Sequence, residues 1–177
     1  MDLTDGTITL RVPLVADLPE LSEAIRSSQP ELAPFMPWAV GTYDPNDTLA
    51  WIRRRGHPNE VGFLIIAPGG QVVGACGLNQ FSELNRSANL GYWVRTSACR
   101  NGYATRATRL LAQHGFDGYG LARIEITMSV ENEASRRVAE RVGATHEGVL
   151  RSRLLLNGRH HDAHLFSLLP GDLAATG

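Results

Sequence analysis

The chain has 177 residues, with 18 Asp plus Glu, 6 His and a formal charge of -1, and its 17 cationic side chains are all arginine. With no lysine, the phosphate-gripping lysine of a P-loop or protein kinase, a Schiff base to pyridoxal phosphate and a lysine nucleophile are all excluded. A near-neutral balance argues against general electrostatic binding of nucleic acid. The content of 43% apolar and 20% charged residues suits a soluble globular protein, read as one domain over residues 1–177.

The longest apolar stretches, such as Phe63 to Ala67, fall far short of the roughly 20 residues of a membrane span. The acidic start, Met1-Asp2-Leu3-Thr4-Asp5, lacks the basic and apolar regions of a signal peptide. Two cysteines, Cys76 and Cys99, suit a reducing compartment. The expected location is cytoplasmic, with no membrane partner.

Thr7 to Val12 alternates as a strand, with Ile8, Leu10 and Val12 on one face. A helix follows, opened by a capping box of Asp17 and Glu20, carrying Leu18, Leu21 and Ile25, and ending at Ser27-Ser28. Residues 29–47 hold Pro30, Pro34, Pro37, Pro45 and Gly41 among Leu32, Phe35, Met36 and Trp38, which predicts a loop with apolar anchors. Thr48 to Arg55 predicts a short helix, and Val61 to Ala67 and Gln71 to Leu78 a hairpin about Pro68-Gly69-Gly70.

Ala88 to Val94 is a further strand. Tyr103, Ala107, Leu110, Leu111 and His114 then lie on one side of a helix, with Arg106, Arg109 and Gln113 on the other, and Gly115, Gly118 and Gly120 mark its end. Arg123 to Val130 alternates as a strand burying Ile124, Ile126 and Met128. Asn132 caps the next helix, with Ala134, Val138, Ala139 and Val142 as its apolar side, an i,i+4 pair of Glu133 with Arg137, and Gly143 at its C-terminal stop. Thr145 to Leu156 and Arg159 to Leu169 form a hairpin on Asn157-Gly158. The order β-α-α-β-β-β-α-β-α-β-β predicts an α/β (α+β) fold, a mixed and mostly antiparallel sheet of about seven strands flanked by about four helices, with one parallel crossing.

Chemistry concentrates in Cys99-Arg100-Asn101-Gly102-Tyr103-Ala104-Thr105, where a strand turns into a helix. The first helical N–H groups and the positive end of the helix dipole make an anion site. Gly102 and Ala104 allow close backbone approach, and Arg100 can grip a phosphate oxygen bidentately. A tight connection alone would need the same small residues. The three small positions of a dinucleotide fingerprint are missing, so a Rossmann reading does not follow.

Taken with Gly91-Tyr92-Trp93-Val94, Val130-Glu131-Asn132-Glu133-Ala134-Ser135, Val142-Gly143-Ala144, Glu147-Gly148 and Asn157-Gly158, this segment resembles the GNAT superfamily of N-acetyltransferases, and more narrowly its RimJ/RimL type, which acetylates ribosomal protein N-termini. The resemblance runs from about Ile8 to Leu169. It implies acetyl-CoA as co-substrate, its pantetheine lying along the strand of Trp93 and Val94, the Val94 N–H on the thioester carbonyl, and the pyrophosphate on Arg100, Asn101, Gly102, Tyr103, Ala104 and Thr105. It implies that Asn132 binds pantetheine and that Ser135 serves the departing thiolate, although a helix cap and a second-turn serine account for these two as well. Phe35, Trp38, Asn79, Glu83 and Tyr92 would line the acceptor side.

Two departures stand out. Cys99 replaces the usual polar residue three before Gly102, and Leu154 occupies the place of a catalytic carboxylate in some relatives. Glu83, Glu147, His161 and Asp162 remain as candidate bases, each also readable as a solvated surface group. A free α-amine, with pKa about 7.7–8.0 against about 10.4 for lysine, needs little help from a base. The implied function is acetyl transfer to a protein N-terminal α-amine. A small-molecule amine acceptor and a non-catalytic acyl-CoA-binding module are the alternatives, and the resemblance leaves room for a homodimer.

In the run His160-His161-Asp162-x-His164 the strand period puts His160, Asp162 and His164 on one face, but no second ligand cluster accompanies them, and no metal is expected. Cys76 reads as a core residue, and Cys99 as a thiol whose pKa a helix N-terminus would lower.

Overall fold

The computed structural model describes residues 2–54 and 57–173. Strands β1 (Leu3–Thr4) and β2 (Thr9–Arg11) lead to helices α1 (Leu18–Leu32) and α2 (Pro45–Arg53). Strands β3 (Glu60–Ile66), β4 (Val72–Ser82) and β5 (Ser87–Val94) come next, followed by α3 (Tyr103–Tyr119), β6 (Arg123–Ser129), α4 (Glu133–Arg141), β7 (Thr145–Leu156) and β8 (Arg159–Leu168). The expected mixed sheet is present with an eighth, two-residue strand at its edge, in the order β1-β2-β3-β4-β5-β6-β8-β7. Only β5 and β6 run parallel, joined through α3.

Each face of the sheet carries a core. Ile8, Leu10, Phe63, Ile65, Leu78, Leu90, Ile124, Ile126 and Phe166 pack against Ala107, Leu111 and Phe116 of α3 and Ala139 of α4. Leu64, Val72 and Ala75 pack on the other face against Leu21 and Ile25 of α1 and Ile52 of α2. Among the described residues no helix is long and apolar enough to cross a membrane.

Several local expectations are corrected. Helix α1 does not stop at Ser27-Ser28 but continues through Pro30, because Leu21, Ile25, Ser28 and Leu32 form one buried stripe at helical spacing. Ser28 is buried because its hydroxyl accepts the Thr96 N–H at 3.0 Å. The Asp17 carboxylate accepts from Leu14 N and holds Arg11 at 2.8 Å, while Glu20 accepts from Val72 N, so neither makes the capping box. Helix α2 begins earlier than Thr48, at Pro45, because the Asp44 side chain accepts the Asn46 N–H. The predicted end of that helix at Arg55 lies outside the described residues.

Gly115 and Gly118 lie within α3, and only Gly120 (φ +63°) ends it. A Cβ on Gly115 would stand 2.8 Å from Ile124 Cδ1, so this glycine lets helix and sheet close. In α4, Ala134 is exposed, and Arg136 rather than Arg137 pairs with Glu133, at 3.2 Å, and with Glu140 at 3.0 Å. The Asn157-Gly158 turn has φ +50° and +75°, as a type I′ hairpin requires.

Candidate active site

Strands β5 and β6 are in register only at Ser87, Ala88 and Asn89 against Arg123, Ile124 and Glu125. Beyond Asn89 the strands part, although β5 continues to Val94 and stays paired with β4. The Arg95 N–H donates to Val73 O on β4 at 2.8 Å. Strand alternation therefore turns the N–H groups of Tyr92 and Val94 to the opposite edge, the one β6 has left. That edge can take an extended ligand as an added strand.

The end of β5 is clamped to α1. Arg95, itself buried, places Nη2 2.8 Å from Glu23, and Thr96 Oγ1 donates to Glu31. On β4, Gly74 faces Val94, and a Cβ there would fall 2.1 Å from Trp93 O and 2.9 Å from Val94 Cα. Neither Arg95 nor Gly74 was legible as a site residue in the sequence, because both act on backbone that only the folded register brings together.

At the following turn, Arg100 (φ +68°) and Gly102 (φ +77°) adopt the left-handed conformation, and Gly102 is the N-cap of α3 with no side chain capping the helix. The first N–H groups of α3 are thus open to an anion, and a Cβ on Gly102 would meet nothing within 4 Å. Arg100 and Asn101 are both exposed, and the Asn101 Nδ2 donates to Ala98 O at 3.1 Å and Cys99 O at 3.3 Å. The Asn101 side chain therefore shapes the loop. Tyr103 packs on the core, with Ala104 and Thr105 half-buried beside it.

A depression of about 370 Å³ continues from Gly102 and Thr105 past Arg106, Arg109 and Arg141. Asp5 lines the same depression and pairs with Arg106 at 2.7 Å, so arginine surface continues beyond the predicted loop with an acidic partner beside it. Arg106 and Arg109 lay on the polar side of the helix in the sequence, but nothing in the sequence placed Arg141 of α4 beside them. The Cys99 thiol is pushed up, first by burial and then by Glu31, against the opposing pull of Arg100, which reverses the expected lowering.

Helix α4 borders the gap between β5 and β6. The Asn132 Oδ1 caps it by accepting the Ser135 N–H at 3.1 Å, which leaves Nδ2 and one Oδ1 lone pair for a ligand. The Tyr92 hydroxyl crosses to α4, donating to Ser135 O at 3.0 Å and lying 2.9 Å from Ser135 Oγ. Burial pushes the Tyr92 phenol up to about 12, so it stays protonated and donates at neutral pH.

On the α1 and α2 side of the sheet lies a cavity of about 520 Å³. Trp38, Asn79, Tyr92 and Trp93 line it with Met36 and Trp51. Phe35 is outside its lining. Glu83 is exposed in the turn before β5 and lies outside the lining.

The candidate bases separate. Glu147 binds Arg123 bidentately at 2.6 and 2.7 Å and accepts from Ser167, which lowers its carboxyl to about 2. It does not take a proton near neutral pH. Its folded pKa lies below its ordinary 4.5, so the stability it contributes is present above about pH 4.5 and is lost as pH falls toward 2. Thermal melts of Glu147→Gln and the parent chain are expected to differ at pH 7 and converge near pH 2.

Asp162 accepts the Ser152 N–H at the β7 bulge, and His160 Nδ1 contacts Ser152 O. His164 Nδ1 lies 3.0 Å from His146 Nε2. Among the described residues no three His, Cys, Asp or Glu side chains gather as a metal would require. His161 is paired across the strands with Leu154 and has Nδ1 3.8 Å from Glu131, next to the α4 cap.

The sequence matches the family described as Acetyltransferase (GNAT) domain over residues 7–145. YdaF of Bacillus subtilis (strain 168), provisionally named a ribosomal N-acetyltransferase, is 34% identical over 169 residues, 92% of this chain and 91% of its own. The ribosomal-protein-serine acetyltransferase of Escherichia coli (strain K12) is 31% identical over 55% of this chain and 54% of its own. Mycobacterium smegmatis RimJ, solved in complex with a CoA disulfide, superposes with a TM-score of 0.87 at 28% identity, covering 98% of this chain and 88% of its own. The chain belongs to the GNAT acetyltransferases, and within them it is similar to the RimJ/RimL type.

Proposed function

We propose that the chain transfers acetyl from acetyl-CoA directly to a protein N-terminal α-amine in the cytoplasm. The observation that carries this reading is the free edge of β5 beside the glycine-capped start of α3. It supplies a strand-pairing surface for pantetheine and an anion site for pyrophosphate in one continuous groove. The CoA compound bound by RimJ and the ribosomal acceptors in the relatives' names support the same assignment.

The Val94 N–H donates to the thioester carbonyl oxygen and stabilises the negative charge that develops there when the amine attacks. Ser135 Oγ, 2.9 Å from the Tyr92 hydroxyl, turns its one proton toward the departing thiolate. The amine arrives from the cavity side, and its low pKa lets water carry off the proton. Ser135→Ala is expected to lower kcat about 10- to 100-fold with KM for acetyl-CoA within about threefold, the pattern of an interaction made in the transition state. Equal loss in binding would assign Ser135 to affinity instead.

Thiol release from acetyl-CoA, followed against N-terminal peptides and small amines, tests the acceptor. Intersecting initial-velocity lines with a peptide acceptor are expected. Parallel lines with acetyl trapped on Cys99 would overturn direct transfer, and thermal stabilisation by acetyl-CoA without turnover on any amine would make the chain a binding module.

A further inference from the structure

Gly62 of β3, Gly77 of β4 and Gly91 of β5 stand directly opposite one another, forming one row across three strands. All three lie in the wall of the 520 Å³ cavity. A sheet face usually presents side chains on every strand, so a glycine row leaves a trough one side chain deep. The row is kept bare for three different reasons, and at Gly77 a Cβ would fall 2.6 Å from Val61 O. A Cβ on Gly62 would fall 2.6 Å from Trp51 Cζ2, so an indole already rests on that position. A Cβ on Gly91 would meet nothing within 4 Å, so the trough is open at the strand that carries Val94.

Three tryptophans, Trp38, Trp51 and Trp93, stand in the remaining wall, which also carries the charged Asp47, Arg54 and Glu60. The rings of Trp38 and Trp93 lie 5.7 Å apart at 56°, and Trp51 closes the end over Gly62, its Nε1 donating at 3.2 Å to Glu60, which lines the cavity too. Trp38, 47% exposed, offers apolar surface at the open side. Gly91 is three residues, about 10 Å, from Val94, and Trp93 is its immediate neighbour. An amine held at Val94 therefore brings the side chains of its own residue and the next within reach of the trough.

The geometry points to an acceptor with a large, flat, apolar side chain in its first two residues, seated over the Gly77 and Gly91 end of the row, between the three indoles. A serine would leave the trough nearly empty. This inference rests on the protein N-terminus reading and adds to it a substrate class distinct from the serine in the Escherichia coli relative's name.

The test is kcat/KM with acetyl-CoA for peptides beginning Ser-Ser, Phe-Ser, Trp-Ser, Ser-Phe and Ser-Trp, with phenethylamine alongside. An aromatic peptide is expected to exceed Ser-Ser by about 10- to 100-fold, the range by which a shaped apolar pocket discriminates. Gly91→Val, which fills the trough from its open end, is expected to reduce the aromatic-to-serine ratio at least about tenfold. Gly91→Ala is expected to reduce it less, and acetyl-CoA affinity reports folding in both variants. Peptide turnover with Ser-Ser equal or best overturns the aromatic class and leaves the N-terminal reading intact. Turnover of phenethylamine but of no peptide overturns the N-terminal reading and supports the trough, and a ratio unmoved in folded Gly91→Val removes the trough from specificity.

Discussion

Gly102→Asp is expected to raise the acetyl-CoA dissociation constant about 30- to 150-fold in a chain that still folds. A Cβ at this position meets nothing within 4 Å, so the substitution creates no clash, and the exposed loop keeps the carboxylate solvated. The left-handed backbone at φ +77° costs an Asp about 1 kcal/mol, a cost carried by the free and bound chain alike. Binding is instead weakened by a negative charge set about 5 Å from pyrophosphate, worth about 2 to 3 kcal/mol at a partly shielded site. Gly102→Ala isolates the backbone effect and should lose stability with affinity within about threefold. Calorimetric affinity unchanged in folded Gly102→Asp would remove the loop from cofactor binding.

The order of the long elements was legible because their buried faces repeat cleanly, as at Ile124, Ile126 and Met128, all under 5% exposed. Where polar residues are buried for a partner distant in sequence, that reading stops short. Ser28 ended the predicted helix because nothing local shows that its hydroxyl accepts Thr96 N–H. Within the site, the turn at Gly102, the cap at Asn132 and the strand of Val94 are local patterns, and their positions could be read directly. The glycine row, the Arg95 clamp and the approach of Arg141 to Arg106 depend on register and packing between segments, which no single stretch of sequence records. Glu147 shows the same limit from the other side. A carboxylate beside Gly148 reads as a base in the sequence, but Arg123, 24 residues away, holds it in a bidentate pair.

Gly74→Ala is expected to lower kcat about 100- to 1000-fold while acetyl-CoA affinity falls by less than about tenfold. Gly74 has no left-handed backbone to protect, so its need for glycine is steric. An alanine Cβ would begin 2.1 Å from Trp93 O and 2.9 Å from Val94 Cα, and backbone atoms on both sides are fixed by the β4–β5 ladder and by the Arg95 N–H on Val73 O. Relief requires β5 to move by about 1 Å, enough to misplace a donor aimed at a reacting oxygen and to cost about 100-fold. Loss of one such donor altogether costs about 100- to 1000-fold. The phosphate grip lies eight residues further on, beyond the clamp of Arg95 on Glu23, and should hold the cofactor nearly as before. Overpacking should also lower stability by about 1 to 3 kcal/mol, so kcat is to be measured well below the melting temperature of the variant. A folded Gly74→Ala chain with kcat within threefold of the parent would show that the Val94 N–H is not the group that stabilises the thioester oxygen.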